Sequence, residues 1–266
     1  MSKEVQLIAI QPKKISFEPL EQWNYFECVI TSFFEKKNIN TSSDTFVCLP
    51  EYALGSNSRA SNLDRQINTI YDKIREFVSK HDIYLISGSG STRINEHYRN
   101  RSLFWNRNGV IEGQHDKIYI SDYEKKHGHL AGETANQIIL FSNSIKIQIL
   151  ICRELSYPDL IHQRFPQLPD ILFVPVMSYV NGKEFTTTSR QSFYKLAIQY
   201  SLEYSIPVIL SDWACQPFED INWTSGATCL INPTAFLSTK ENGRQIIQTI
   251  PDGEEGILMQ KSYIGL

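Results

Sequence analysis

Apolar residues recur along the chain with two periods. Leu20, Trp23, Phe26, Ile30, Phe33 and Phe34 fall at spacings of three and four, which predicts an amphipathic helix from Leu20 to about Lys37. Ile67, Ile70, Ile74, Phe77 and Val78 predict a second helix, and Phe193, Leu196, Ala197, Tyr200 and Tyr204 a third that begins at Arg190. Between them lie short apolar runs that read as strands, at 5–11, 45–49, 83–87, 170–176 and 207–211, and Pro12 and Pro50 end the first two. Asn108-Gly109 joins the runs 101–105 and 110–113 and predicts a hairpin. Ser142-Asn143-Ser144 predicts another between 138–141 and 145–151. Gly88-Ser89-Gly90 reads as a turn, 57–62 as a polar loop, 159–165 as a short helix, and 227–231, 235–237 and 256–260 as closing strands. Strands alternate with helices, with hairpins between, so the expected class is α/β with a mixed sheet. No repeat or linker divides the chain, which reads as one domain over residues 1–266.

Composition narrows the function classes. The 266 residues are 41% hydrophobic and 21% charged, ordinary for a globular chain. A net charge of −3 gives no electrostatic reason to bind nucleic acid or an anionic membrane. Five cysteines, an odd number with no C-x-x-C pair, argue against a disulfide framework and for a reducing compartment. No apolar run reaches the roughly 20 residues of a membrane span, and the first residues show no signal-peptide pattern. The expectation is a cytoplasmic protein without cofactor or metal.

The candidate chemistry lies just past strand ends. The strand 145–151 runs into Cys152, followed at once by Arg153, Glu154 and, further on, Pro158. α/β proteins build sites at such carboxyl edges. A thiol needs a base to take its proton and a positive charge to favour the anion. Glu51, after the strand 45–49, can be that base, and Lys117 can supply the charge and stabilise an oxyanion. Taken singly, each has a plain reading too: a buried cysteine, a loop acid, a surface lysine. Tyr179 follows another strand on the same presumed edge and is a candidate substrate contact or simply part of a connecting loop. His127-Gly128-His129 reads as a loop rather than a metal pair, Arg190 as a surface arginine, and Cys28, Cys48, Cys215 and Cys229 as core.

Three stretches together resemble the nitrilase, or carbon–nitrogen hydrolase, superfamily, in its amidase-like branch. Residues 49–54 (LPEYAL) are similar to its strand-Pro-Glu motif, 115–119 (HDKIY) to its lysine motif, and 151–160 (ICRELSYPDL) to its nucleophile motif. Residues 100–104 with Asn108-Gly109, 202–209, 226–228 and 230–233 resemble other parts of the family pattern in the same order. The resemblance implies a four-layer αββα sandwich with mixed sheets, often paired as a homodimer or larger homo-oligomer. It implies Cys152 as nucleophile, Glu51 as general base, and Lys117 with the backbone N–H of Arg153 as oxyanion holder. Glu124, seven residues past Lys117, falls where many members carry a second glutamate that positions the lysine and the substrate. The implied substrate is a small amide, carbamoyl compound or nitrile, cleaved through a thioester. Acyl transfer to an amine, and a binding module with little turnover, are the alternatives. Arg153, Ser156 and Thr228 depart from the residues common in the family at those positions.

Overall fold

Alternation in the first strand sets the layering. In β1 (Ser2–Gln11), Val5, Leu7 and Ala9 face one apolar cluster, and Ile8 and Ile10 face another. A strand with both faces apolar has to be covered on both sides. The computed structural model describes residues 2–16, 18–39, 43–55, 60–133, 139–141, 145–158, 160, 168–216, 222–233 and 247–265. After β1 come α1 (Pro19–Lys37), β2 (Asp44–Cys48), α2 (Ala60–His81), β3 (Tyr84–Ile86), β4 (Gly90–Ile94), β5 (His97–Trp105), β6 (Ile111–Asp116) and α3 (Asp122–Lys126). The second half has β7 (Ile139–Phe141), β8 (Ile145–Ile149), β9 (Ile171–Pro175), β10 (Tyr179–Asn181), α4 (Thr186–Tyr204), β11 (Val208–Ser211), β12 (Asn222–Thr224), β13 (Cys229–Ile231), β14 (Ile247–Thr249) and β15 (Gly256–Gly265).

Among the described residues, one sheet has the order β15-β1-β2-β3-β5-β4, with β6 also on β5, and a second runs β14-β13-β11-β9-β8-β7. Both are mixed: β1, β2 and β3 are parallel, as are β8, β9 and β11, while β15 and β13 pair antiparallel at their flanks. The sheets face each other across Val5, Leu7, Phe46, Phe104, Ile147, Ile149, Phe173 and Ile209. Phe46 stacks on Tyr84 at 4.9 Å and meets Phe173 of the other sheet at 5.9 Å. On the outer face of the first sheet, α1 and α2 bury Trp23, Phe26, Ile30, Ile70, Ile74 and Phe77. On the outer face of the second, α4 buries Ala197 and Tyr200 against Leu172, Val174, Val208 and Leu210. The layers are therefore α, β, β, α, as the motif pattern implies.

The structure also corrects the sequence reading. Residues 90–94 form a strand, β4, that hairpins onto β5 around Asn95, whose φ is 57°. Gly-Ser-Thr-Arg-Ile is too polar to show a strand period, and its pairing supplies what its composition lacks. Cys28 is exposed on the outer face of α1 and Cys215 is part-exposed in the bend that follows β11; of the five cysteines only Cys48 and Cys229 are buried. Arg190 lies inside α4 rather than at its start, is buried, and pairs with Asp252. The predicted turn at 142–144, the strand at 235–237, most of the helix at 159–165 and residues 57–59 of the predicted loop lie outside the described residues, while residues 60–62 of that loop belong instead to the first turn of α2.

The Gly88-Ser89-Gly90 turn is the cradle of the Glu51 loop. The Ser89 hydroxyl accepts from Tyr52 N–H at 3.1 Å, and the Ser89 carbonyl accepts from Leu54 N–H at 3.2 Å. Gly88 has φ +68°, and a Cβ there would fall 2.0 Å from the Pro50 carbonyl oxygen. Gly88→Ala therefore combines left-handed strain with a backbone collision. It is expected to lower Tm by about 5–10 °C. Gly128→Ala has φ +77° but meets nothing within 4 Å, so it should cost clearly less in the same melting experiment. Equal losses would mean that the Pro50 contact is unimportant.

Candidate active site

The carboxyl ends of β2, β8, β9 and β11 lie along one edge of the sandwich, and each is followed by a residue of the site. Glu51 follows β2, and Lys117 follows β6 with its N–H donating to the Asn100 carbonyl at 2.9 Å. Cys152 opens a short 3-10 helix, Cys152–Ser156, after β8. Two residues here sit in the left-handed region, Tyr52 at φ 60° and Cys152 at φ 52°. Side chains rarely adopt it, at a cost on the order of 1–3 kcal/mol each, and such positions gather at functional sites.

Glu51, Lys117 and Glu124 are almost fully buried and in direct contact. The Lys117 ammonium donates to Glu51 Oε1 at 2.7 Å and to Glu124 Oε1 at 3.2 Å. Asn100 bridges the same two carboxylates, its Nδ2 2.9 Å from Glu51 Oε1 and 2.8 Å from Glu124 Oε1. Glu124 also accepts from the Tyr52 hydroxyl at 2.8 Å and caps α3 through Ser121 N–H at 2.6 Å. The other oxygen of Glu51 accepts from Met177 N–H at 3.0 Å, and its backbone carbonyl from the Trp213 indole at 2.8 Å. Cys152 is close enough to Glu51 for each to shift the other's proton affinity, and its Sγ lies 3.8 Å from the Met177 carbonyl oxygen. The four residues Cys152, Glu51, Lys117 and Glu124 thus converge, although they are far apart in sequence.

Electrostatics separates their roles. Burial raises the Glu51 carboxyl above its ordinary value of 4.5, with Lys117 opposing and Glu124 reinforcing that shift. The same burial would raise Glu124, but Lys117, Ser121 N–H, Asn100 and Tyr52 bring it down to about 2. For Lys117, burial favours the neutral amine, and the Glu51 and Glu124 carboxylates override it, so the ammonium is held firmly. Burial and the nearby Glu51 push the Cys152 thiol well above its ordinary value, against the pull of Lys117. One carboxylate is fixed as an anion, one is a strengthened base, and the thiol is protonated at rest.

Sequence reasoning did not single out three partners. Glu154 is fully buried and accepts from His115 Nε2, Ile118 N–H and Ile151 N–H, each at 2.7 Å. It thereby ties the lysine loop to the nucleophile turn. Asn100 and Asp212 are likewise fully buried. Asn100 looks like any strand residue of β5, and only its pairing in the fold shows its role. Arg153 has an exposed side chain whose guanidinium lies 6.0 Å from the Tyr157 ring centroid, and Ser156 is exposed. Tyr179 is 40% exposed and meets Tyr123 edge-on at 6.1 Å, and the Tyr123 ring also lies 4.2 Å from the His127 ring. The fields of Glu51, Cys152 and Glu124 reach the Tyr179 phenol and, after burial and Tyr123, help raise it. His129 is buried with Nε2 2.9 Å from Ser91 Oγ. Among the described residues, no group of three or more metal-ligating side chains gathers, and no helix is long and apolar enough to cross a membrane.

A layered αββα sandwich with a buried Glu-Lys-Glu cluster beside a cysteine defines a class of C–N bond hydrolase. The carbon–nitrogen hydrolase family model matches residues 38–250, and the chain belongs to that family. A "Hydrolase in agr operon" from Staphylococcus lugdunensis is 27% identical over 126 residues; that match covers 45% of this chain and about half of the relative, 52%. The fold resembles Saccharomyces cerevisiae Nit3, of branch 10 of the nitrilase superfamily, with TM-score 0.76, 16% identity, and coverage of 97% and 90% of the two chains. It also resembles the C. elegans NitFhit protein (TM-score 0.78, 15% identity, 98% of this chain and 61% of that one). A mutant of the amidase from Nesterenkonia sp. AN1, with acrylamide added at its active-site cysteine, matches with TM-score 0.72 and 14% identity over 99% and 93% of the chains.

Proposed function

We propose that this chain hydrolyses the C–N bond of a small amide or carbamoyl compound through a thioester on Cys152. The observation that carries the reading is the Lys117 ammonium clamped between Glu51 and Glu124 beside the Cys152 thiol. Sγ of Cys152 attacks the carbonyl carbon as Glu51 takes the thiol proton. Lys117 and the N–H of Arg153 hold the oxyanion, worth about 3–4 kcal/mol per donor. The C–N bond breaks, Glu51 passes its proton to the nitrogen, and ammonia or an amine leaves. Water then attacks the thioester, giving its proton to Glu51. The C–S bond breaks, the acid departs, and the proton returns to sulfur. Tyr179, with Tyr123, walls the approach to the thiol and contacts the substrate.

This scheme needs no preformed thiolate. The raised thiol and the strengthened carboxylate mean that the proton moves during attack, a general-base step worth roughly 10²–10⁴-fold. A pH consequence follows from the sign of the Glu51 shift. The base must be ionised, so kcat/KM falls as pH drops through the Glu51 value, and the acid limb should lie above 4.5. Glu51→Gln should abolish turnover. The test is ammonia release from a panel of amides and carbamoyl compounds across pH, with intact-mass detection of the acyl-enzyme. A wild-type protein that is neither acylated nor able to release ammonia from any of the panel overturns the reading. Acrylamide is a natural probe to include, because it is found added at the active-site cysteine in a mutant of the structurally similar Nesterenkonia amidase.

A further inference from the structure

We infer that Asp212 is a positioning residue for Glu51, holding the base in place through the two backbone segments that grip it. The inference rests on the reading of Glu51 as the base. Asp212 follows β11, is fully buried, and lies outside the reacting set. Its Oδ1 accepts from Ser178 N–H at 3.1 Å and Trp213 N–H at 2.9 Å. Its Oδ2 accepts from Ala227 N–H at 2.8 Å and from the Ser178 hydroxyl, which in turn meets the Ser225 hydroxyl. Thr228 Oγ1 closes the ring, accepting from Asp212 N–H at 2.9 Å and donating to its carbonyl at 3.0 Å.

Two of these contacts lead directly to Glu51. Ser178 adjoins Met177, whose N–H donates to Glu51 Oε2 at 3.0 Å and whose carbonyl faces Cys152 Sγ. Trp213 adjoins Asp212, and its indole donates to the Glu51 carbonyl at 2.8 Å. One carboxylate therefore fixes the peptide beside the carboxyl oxygen of Glu51 and the ring beneath its backbone. An ionised carboxylate is the side chain that suits this place, because it only accepts, and four donors converge on it. Burial lifts its carboxyl to about 6 despite those four donors, so a plain packing residue would be easier to keep there. The fold retains the charge at a place where it controls geometry.

The test compares Asp212→Ala and Asp212→Asn with wild type, using kcat, KM, the acid limb of the pH profile and thermal melting. Once the anchor is lost, Met177 N–H no longer donates reliably to Glu51. The carboxylate loses a stabilising donor, so its proton is held to higher pH. For Asp212→Ala, kcat should fall about 10²-fold, the usual penalty of a small misplacement. KM should stay within about threefold, and the acid limb should move up. Asp212→Asn keeps an acceptor toward Ser178 and Trp213 but faces Ala227 N–H with a donor, so it should fall between. If Asp212→Ala does not fold, Asp212→Asn decides. A folded variant with wild-type kcat and acid limb overturns the inference, and so does a loss of kcat with no movement of the limb. Wild type and Cys152→Ala are run beside them: turnover that survives Cys152→Ala refutes the reading of the site instead.

Discussion

Cys152→Ala is expected to end turnover, with a loss in kcat on the order of 10⁶-fold, while the fold stays intact. The loss is large because the remaining groups have nothing to act on. Glu51 has no thiol proton to take, and Lys117 has no oxyanion to hold. Stability should change little, because alanine is close to cysteine in size and faces the same left-handed strain at φ 52°. Intact-mass measurement separates this from a binding defect. Wild type should gain the acyl mass of a slowly hydrolysed amide, and the variant should gain nothing. Ammonia release at the wild-type rate from Cys152→Ala would exclude the covalent route.

The α/β class was readable because burial on both faces leaves a mark on strands, whereas the four-layer order came only from the family likeness. Val5 to Ile10 and Ile171 to Val174 are nearly unbroken apolar runs, and one sheet face alone would not require that. The elements that stayed hidden are short and polar. β10 and β12 hold only Tyr179–Asn181 and Asn222–Thr224 and are stabilised by pairing with each other, across some forty positions of sequence. No local period can announce such a contact.

The site divides the same way. Cys152, Glu51 and Lys117 could be located because each follows a strand and sits in a stretch with a family likeness. Glu124 could be placed by the same likeness, but the other partners could not. Asn100 is a strand residue whose amide reaches two carboxylates only once β4, β5 and the lysine loop have assembled. Tyr52 looks like a neighbour of the base, yet its hydroxyl serves Glu124, seventy-two positions away. Asp212 and Glu154 are acids at strand ends, and burial with N–H donors on all sides gives them their roles. Sequence order shows which groups can react, and tertiary contact decides how they are held.

Lys117→Met tests that second level, because it should damage stability as well as catalysis. The variant keeps the side-chain length and removes the charge between two carboxylates that are 3% and 1% exposed. Breaking a buried ion cluster by removing one partner costs about 3–5 kcal/mol, which for a chain of this size is on the order of 10 °C in Tm. The sign of the pH dependence identifies the cause. Without the ammonium, Glu51 and Glu124 both hold protons more tightly in the folded state than when unfolded. The folded state then binds more protons above the ordinary carboxylate range, so the deficit grows as pH rises and shrinks as pH falls toward it. Wild type should show this trend only weakly, from Glu51 alone, because Lys117 opposes the rise of Glu51 and holds Glu124 down to about 2. Adding Glu124→Gln to Lys117→Met should restore part of the lost Tm by removing one of the two repelling charges, a coupling that a double-mutant cycle reads directly. It should restore no turnover, since the oxyanion still lacks its cation. A stability deficit that is flat with pH and unchanged in the double variant would show that Lys117 acts by packing, and that the charge cluster is not what holds this site together.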